Sequence, residues 1–319
     1  MKLLITPPFD SPIPPATLPA DELASIFAEH GIRVTDDPRQ ADLELAGFGA
    51  IVDPSILRLP RERVVLADGE PAQPQYLLPH YGWTGFAAIV TPMNGAYDGD
   101  CMAFYEPPGA PYTGPRARKI VQLATYRTQG GNANGGSHQV VSVNGRELYS
   151  ARVLCRLRAM VGLAIHAAWP DFIAVYGRGW PEGVAVDCSR TRVAFVSERQ
   201  RVASWYTWDF CWENMAIPGY VSEKFWGALR AGALPVYWGP DEFMAELPCD
   251  SIVDARQWLY RDGYDVAGLV GYLRAMSDAE LARRLATLRS WHESLPRDAA
   301  HRSWVRAAHR LARIVASVT

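Results

Sequence analysis

Short apolar runs alternate with amphipathic stretches along this chain. Lys2–Thr6 (KLLIT) predicts a first strand. In the ADELASIFAEHG stretch that follows, Leu23, Ile26 and Phe27 share one helical face by their i, i+3, i+4 spacing, and Gly31 supplies the stop. ADLELAG, RVVLAD and FAAIVTP are strand candidates, the last ended by Pro92. From Asp98 to Arg118 the chain turns rich in Gly, Pro and Tyr and reads as a crossing between domains.

The alternation then resumes. KIVQLATY (Lys119–Tyr126) predicts a new first strand. RTQGGNANGGSHQ reads as a solvated surface loop or as a loop beside a bound nucleotide, and it is no Walker loop, because no GKS or GKT follows. ARVLCRLRAMVGLAIHAA places Val153, Leu154, Leu157, Val161 and Ala164 at helical spacing. FIAVYG is a strand broken at Gly177 and Gly179, ERQRVAS a short helix, and WYTWDFCW, LPVYWG and DSIVDA further strands. Ser277 with Glu280 three residues on forms a capping box, and a last helix runs roughly from Asp298 to Ala316. The pattern predicts an α/β fold of two Rossmann-like domains facing a cleft. Open α/β sheets bind ligands beyond the carboxyl ends of their strands, so the cleft is the expected site. The expected boundaries are an N-terminal acceptor-binding domain over 1–116, a donor-binding domain over 117–297, and a C-terminal helix over 298–319 that could pack across both.

Composition narrows the functional classes. The 319 residues are 49% hydrophobic and 21% charged with a net charge of -2, which carries no footprint for nucleic acid. Five scattered cysteines, none in a CxxC pair, argue against a disulfide framework or a zinc site and fit a reducing compartment. Cys155 and Cys211 lie in apolar runs and read as core. No stretch approaches the roughly eighteen apolar residues of a membrane span, and the N-terminal apolar run is too short for a signal peptide. The expectation is a soluble, cytoplasmic protein, with peripheral membrane association left open.

Candidate chemistry concentrates between Phe210 and Gly239 (FCWENMAIPGYVSEKFWGALRAGALPVYWG). With WDFCW a strand and SEKFWGALRAGA a helix, the residues between them lie where free N–H groups and the positive helix end favour phosphate. Lys224 adds a full charge, Glu223 accepts from sugar hydroxyls, Tyr220 offers a phenol, and Asn214 donates and accepts. Taken singly, Glu223 and Lys224 also suit a solvated first turn, and Asn214 suits a turn cap.

Taken whole, the segment resembles the signature of the α-1,3/α-1,4-fucosyltransferases, glycosyltransferase family ten. Glu213-Asn214, Tyr220, Val221, Ser222, Glu223-Lys224, a helix and the proline-led Leu234–Gly239 follow in the family's order and spacing. Met215 departs from the family's frequent Ser or Thr, which puts a hydroxyl contact in doubt. Upstream, LYSARVLCRLRAM and DFIAVYGRGW resemble the family's arginine-led helix and following strand; by position Arg152 matches the arginine on the donor phosphates, while Arg156 and Arg158 read as helix surface. The resemblance spans roughly Lys119 to Trp258 and is thin before that. Glu70, at a Gly-Glu-Pro turn after RVVLAD, matches the family's proposed general base, with Asp68, Asp98 and Asp100 as runners-up.

The resemblance implies a GT-B type glycosyltransferase that moves fucose from GDP-fucose to a hydroxyl of a glycan acceptor, with inversion; many members of the family it resembles act on N-acetyllactosamine-type ends. It implies Glu70 as base, Arg152 and Lys224 on the departing GDP, Glu223 on donor hydroxyls or the fucosyl centre, and Asn214 and Tyr220 as positioning groups. No obligatory cofactor is implied, and a divalent cation would at most stimulate. Two alternatives stay open: transfer from another nucleotide-sugar, and a non-catalytic glycan- or nucleotide-sugar-binding protein of the same fold.

Overall fold

The computed structural model describes residues 1–7, 18–47, 54–67, 88–90, 108, 114–126, 138–143, 146–187, 195–216, 219–260 and 263–318. The chain divides into two compact units: residues 1–103, 218–220 and 298–319, and residues 104–217 with 221–297.

The first unit is a five-stranded parallel sheet. β1 (Lys2–Thr6), β2 (Arg33–Thr35), β3 (Leu43–Gly47), β4 (Val64–Ala67) and β5 (Ala88–Val90) lie in the order β2-β1-β3-β4-β5. α1 (Ala20–Glu29) joins β1 to β2 and buries Leu23, Ile26 and Phe27, the face its spacing predicts. Strands buried on both faces read as unbroken apolar runs, as VVLA of β4 does. The C-terminal helix, labelled α8 (Ala299–Ser317), belongs to this unit and packs on α1. His30 Nε2 and His309 Nδ1 share a hydrogen bond of 3.2 Å, and His301 Nε2 lies 3.1 Å from Glu22.

The second unit holds the larger sheet. Its strands are β6 (Ala117–Leu123), β9 (Ile173–Tyr176), β10 (Ala185–Asp187), β11 (Tyr206–Phe210), β13 (Leu234–Tyr237) and β14 (Val253–Asp254). They run parallel in the order β10-β9-β6-β11-β13-β14. Counted along the chain this is 3-2-1-4-5-6, the dinucleotide-binding order, whose crevice opens where the order reverses. Here that point lies beyond the carboxyl ends of β6 and β11. The core beneath it is aromatic: Trp208, Phe210, Trp212 and Trp238 are buried with Leu234 and Val236.

Around this sheet lie α2 (Cys155–Ala168), α3 (Phe195–Ala203), α4 (Glu223–Ala231), α5 (Asp241–Glu246), α6 (Val266–Ala275) and α7 (Asp278–Ser294). α7 opens on Ser277, whose hydroxyl accepts from the Glu280 amide. The buried Cys155 and Cys211 sit as their apolar runs predict. Just after β9, Gly177, at φ 129°, passes so close to the chain leaving β6 that a Cβ would lie 2.2 Å from the Ala124 carbonyl oxygen. Among the described residues no helix is long and apolar enough to cross a membrane.

One stretch departs from expectation. The apolar period read as a helix from Ala151 is two elements. β7 (His138–Val143) and β8 (Arg146–Val153) form an antiparallel hairpin, which β12 (Met215–Ala216) extends, and α2 starts only at Cys155. Val153 is therefore a strand residue and Arg152 is not on a helix. Within α2 the apolar face runs through Leu157, Val161 and Ile165, while Ala164 faces solvent.

A buried ion pair braces β11. Asp209, fully buried, receives both bonds from Arg199 Nη2 at 2.8 Å, and Arg199 Nη1 donates to the Leu123 carbonyl at the end of β6. Breaking such a pair strands a charge in the interior. Asp209→Ala is expected to lower unfolding stability by about 3–5 kcal/mol, seen as a lower urea midpoint with an unchanged slope.

Candidate active site

β11 does not stop at Phe210 in its pairing. Cys211 N donates to Val236 O and Glu213 N to Trp238 O, so the strand end stays stapled to β13 for three residues beyond its last regular position. That staple carries Glu213 to the joint between β11, β13 and α4, where its side chain is fully buried. Three donors meet the carboxylate there. Ser222 N and Tyr237 OH donate to Oε1 at 2.9 and 3.0 Å, and Ser222 Oγ donates to Oε2 at 2.5 Å. Gly239 is needed for this: a Cβ there would lie 2.2 Å from the Tyr237 hydroxyl oxygen. Burial pushes the Glu213 carboxyl above its ordinary value, against the pull of Lys224 and the Ser222 bonds.

Ser222 is the N-cap of α4, in extended backbone. Its Oγ accepts from the Lys224 amide at 3.3 Å and from Lys224 Nζ at 3.0 Å. The ammonium also lies 3.3 Å from Glu223 Oε1 and 3.9 Å from Glu213 Oε2. Lys224 is thus a buried cation shared between two carboxylates, not a solvated first-turn lysine. Burial would raise the Glu223 carboxyl, but Lys224 and then Arg199 outweigh it and hold it below its ordinary value.

Asn214, buried, is gripped from the other side. Its backbone carbonyl accepts from the amides of Leu154 and Cys155 at the start of α2, at 2.9 and 3.3 Å. Its Oδ1 accepts from Arg158 Nη2 at 3.1 Å, and Arg158 Nη1 donates to the Trp212 carbonyl. Arg158, read from the sequence as helix surface, is buried and bound to the strand end; this corrects that reading. The signal available was its place on the inward face, one residue after Leu157 and three before Val161.

Of the residues singled out, Asn214, Glu223 and Lys224 meet at this joint. Arg152 sits in β8 with its backbone opposite Ala216, two residues past Asn214. Tyr220 is buried, in the short segment grouped with the first unit. Glu70, with Asp68, Asp98 and Asp100, lies outside the described residues. Sequence reasoning missed Glu213 as the anchor, along with Arg158 and Tyr237. Among the described residues no group of three or more His, Cys, Asp or Glu could hold a metal ion. The arrangement presents a helix start, one ammonium and an acceptor carboxylate beyond the switch point, chemistry suited to a phosphate joined to a hydroxylated group.

Residues 173–308 match the family model described as glycosyltransferase family 10 (fucosyltransferase) C-term. The match holds the whole Glu213–Gly239 segment and begins after Arg152. Comparison with curated proteins finds no match. Among solved structures the chain is similar to an α1,3-fucosyltransferase crystallised with GDP-fucose, at 13% identity and a TM-score of 0.43, covering 89% of this chain and 80% of that one. It is similar also to an α1,3-fucosyltransferase with GDP, at 12% identity and a TM-score of 0.41 over the same shares.

The raised Glu213 carboxyl has a consequence for stability. Between the ordinary value of 4.5 and its folded value, the native state keeps a proton that the unfolded chain has lost. Glu213 therefore contributes a stability that falls as pH rises through that window and levels off above it. Subtracting the pH–stability curve of Glu213→Gln from that of the wild type, by urea titration, should expose this downward step. A difference curve that rises with pH would reverse the assignment.

Proposed function

From a chain whose residues 173–308 match the family model described as glycosyltransferase family 10 (fucosyltransferase) C-term, we propose an inverting fucosyltransferase that uses GDP-fucose and a glycan hydroxyl. The observation that carries this reading is the family segment itself, set at the switch point with Lys224 buried beside Ser222 and Glu223 at the start of α4. The donor site is assigned to residues 117–297 and the acceptor site to residues 1–116.

In the proposed reaction the acceptor hydroxyl oxygen bonds to the anomeric carbon as the bond from that carbon to the GDP β-phosphate oxygen breaks. The electron pair leaves with GDP, and the hydroxyl proton passes to Glu70. Lys224 and Arg152 stabilise the charge that builds on the leaving diphosphate. Glu223, held ionised by Lys224 and Arg199, accepts from donor hydroxyls. Asn214 and Tyr220 position the donor, with Arg158 fixing the Asn214 amide. Two cations serve the diphosphate, so this reading requires no metal ion, and a divalent cation would at most stimulate. The linkage is of the α-1,3/α-1,4 type, on an acceptor of N-acetyllactosamine character.

The testing experiment is a thermal-shift comparison. GDP and GDP-fucose should raise the melting temperature by mass action, and UDP should not. Equal protection by UDP, or none by GDP, overturns the donor assignment. Lys224→Ala should weaken GDP binding roughly ten- to a hundred-fold, the loss of one charge-assisted hydrogen bond of about 1.5–3 kcal/mol, and should slow transfer with it.

Glu70 is tested separately. Glu70→Gln keeps shape and removes basicity, a loss that typically costs about 10²–10⁴ in rate. The expected result is a collapsed turnover number with the GDP dissociation constant unchanged. Transfer at the wild-type rate would move the base to Asp98 or Asp100.

A further inference from the structure

The joint holds a chain of hydrogen bonds whose direction is set from one end. Glu213 receives Ser222 N–H, Tyr237 O–H and Ser222 O–H. A carboxylate has only acceptors to offer, so the single hydroxyl proton of Ser222 is committed to it. The lone pairs of Ser222 Oγ are then turned to Lys224, one to its amide and one to its ammonium. A lysine ammonium carries three N–H groups on a flexible stem. Ser222 and Glu223 take two of them at hydrogen-bond distance, while Glu213 Oε2 stands off at 3.9 Å. The direction of the third N–H follows from the other two.

We infer that Glu213 and Ser222 are positioning residues that aim the Lys224 ammonium at the donor diphosphate. The inference rests on the reading that Lys224 meets that diphosphate. Neither Glu213 nor Ser222 needs to touch the donor. Glu213 is fully buried, and the hydroxyl proton and lone pairs of Ser222 are spent on Glu213 and Lys224. Tyr237, from β13, fixes the Glu213 carboxylate at its far oxygen, so the rigid sheet is the reference against which the ammonium is set.

A purely structural role for Ser222 is the competing account, since it is also the α4 N-cap. A double-mutant cycle separates the two. GDP dissociation constants are measured by calorimetric titration for wild type, Ser222→Ala, Lys224→Ala and the double variant, well below the melting temperature of each. If Ser222 acts through Lys224, Ser222→Ala weakens GDP binding about ten-fold in the wild-type background, and adds less than two-fold when Lys224 is already alanine. Ser222→Thr, which keeps the hydroxyl, restores most of the affinity. An unchanged dissociation constant in Ser222→Ala, or equal losses in both backgrounds, overturns the proposal. Should Ser222→Ala fail to fold, Glu213→Gln replaces it in the same cycle with the same two outcomes. Failure of the wild type to bind GDP would instead strike the functional reading on which the inference stands.

Discussion

The second unit is organised around one buried carboxylate. Placing Glu213 at zero exposure costs desolvation that only good hydrogen bonds can offset. The chain supplies three donors from two elements, the Ser222 amide and hydroxyl at the head of α4 and the Tyr237 hydroxyl on β13. The same requirement explains the small residue at Gly239, which leaves room for that hydroxyl, and the cap residue at 222, which must both donate and accept. Removing any one donor leaves the acid underbonded in a low-dielectric setting, so the segment behaves as a unit.

The sheet decides where this unit sits. Its strand order reverses between β6 and β11, which splays the connections that leave their carboxyl ends. The Arg199–Asp209 pair ties β11 to α3 and to the end of β6 just below that point. Arg158 and the first amides of α2 close it from the other side through Trp212 and Asn214. Backbone groups left without partners at the strand end are thereby satisfied by side chains and a helix start. A rigid frame of this kind can hold an ammonium and a carboxylate 3.3 Å apart without solvent averaging their positions.

Much of the fold was legible in the sequence because its signals are local. Leu23, Ile26 and Phe27 bury the face their spacing predicts, and Ser277 caps the helix it precedes. The failure at 151–154 was also local in origin. Val153 and Leu154 continue the helical period of Leu157 and Val161 backwards, so a strand that runs into a helix looks like one longer helix. The site was legible as a string of residue types, since Glu213, Asn214, Ser222, Glu223 and Lys224 all fall within one segment. Which acid turns inward was not legible, because adjacent polar residues at a strand end carry no periodicity. Arg158 was hidden for a related reason: a charged residue on a helix is usually solvated, and only the tertiary partners Trp212 and Asn214 reveal why this one is not.

Charge balance carries the last step. At the joint one ammonium serves two carboxylates, Glu213 and Glu223, while Arg199 is matched by Asp209. A diphosphate approaching the start of α4 therefore does not meet a surplus of positive charge from Lys224 alone. The helix end contributes a partial charge of roughly half a unit, which falls short of what a dianion needs. In the proposed donor complex the balance is assigned to a guanidinium on the α2 side. There Arg158 already reaches Asn214, and the backbone of Arg152 runs opposite Ala216 in the strand that leads into that helix. In the proposed donor complex, then, Glu213 and Glu223 fix the lysine in place, and Arg152 makes up the charge that the two acids withhold.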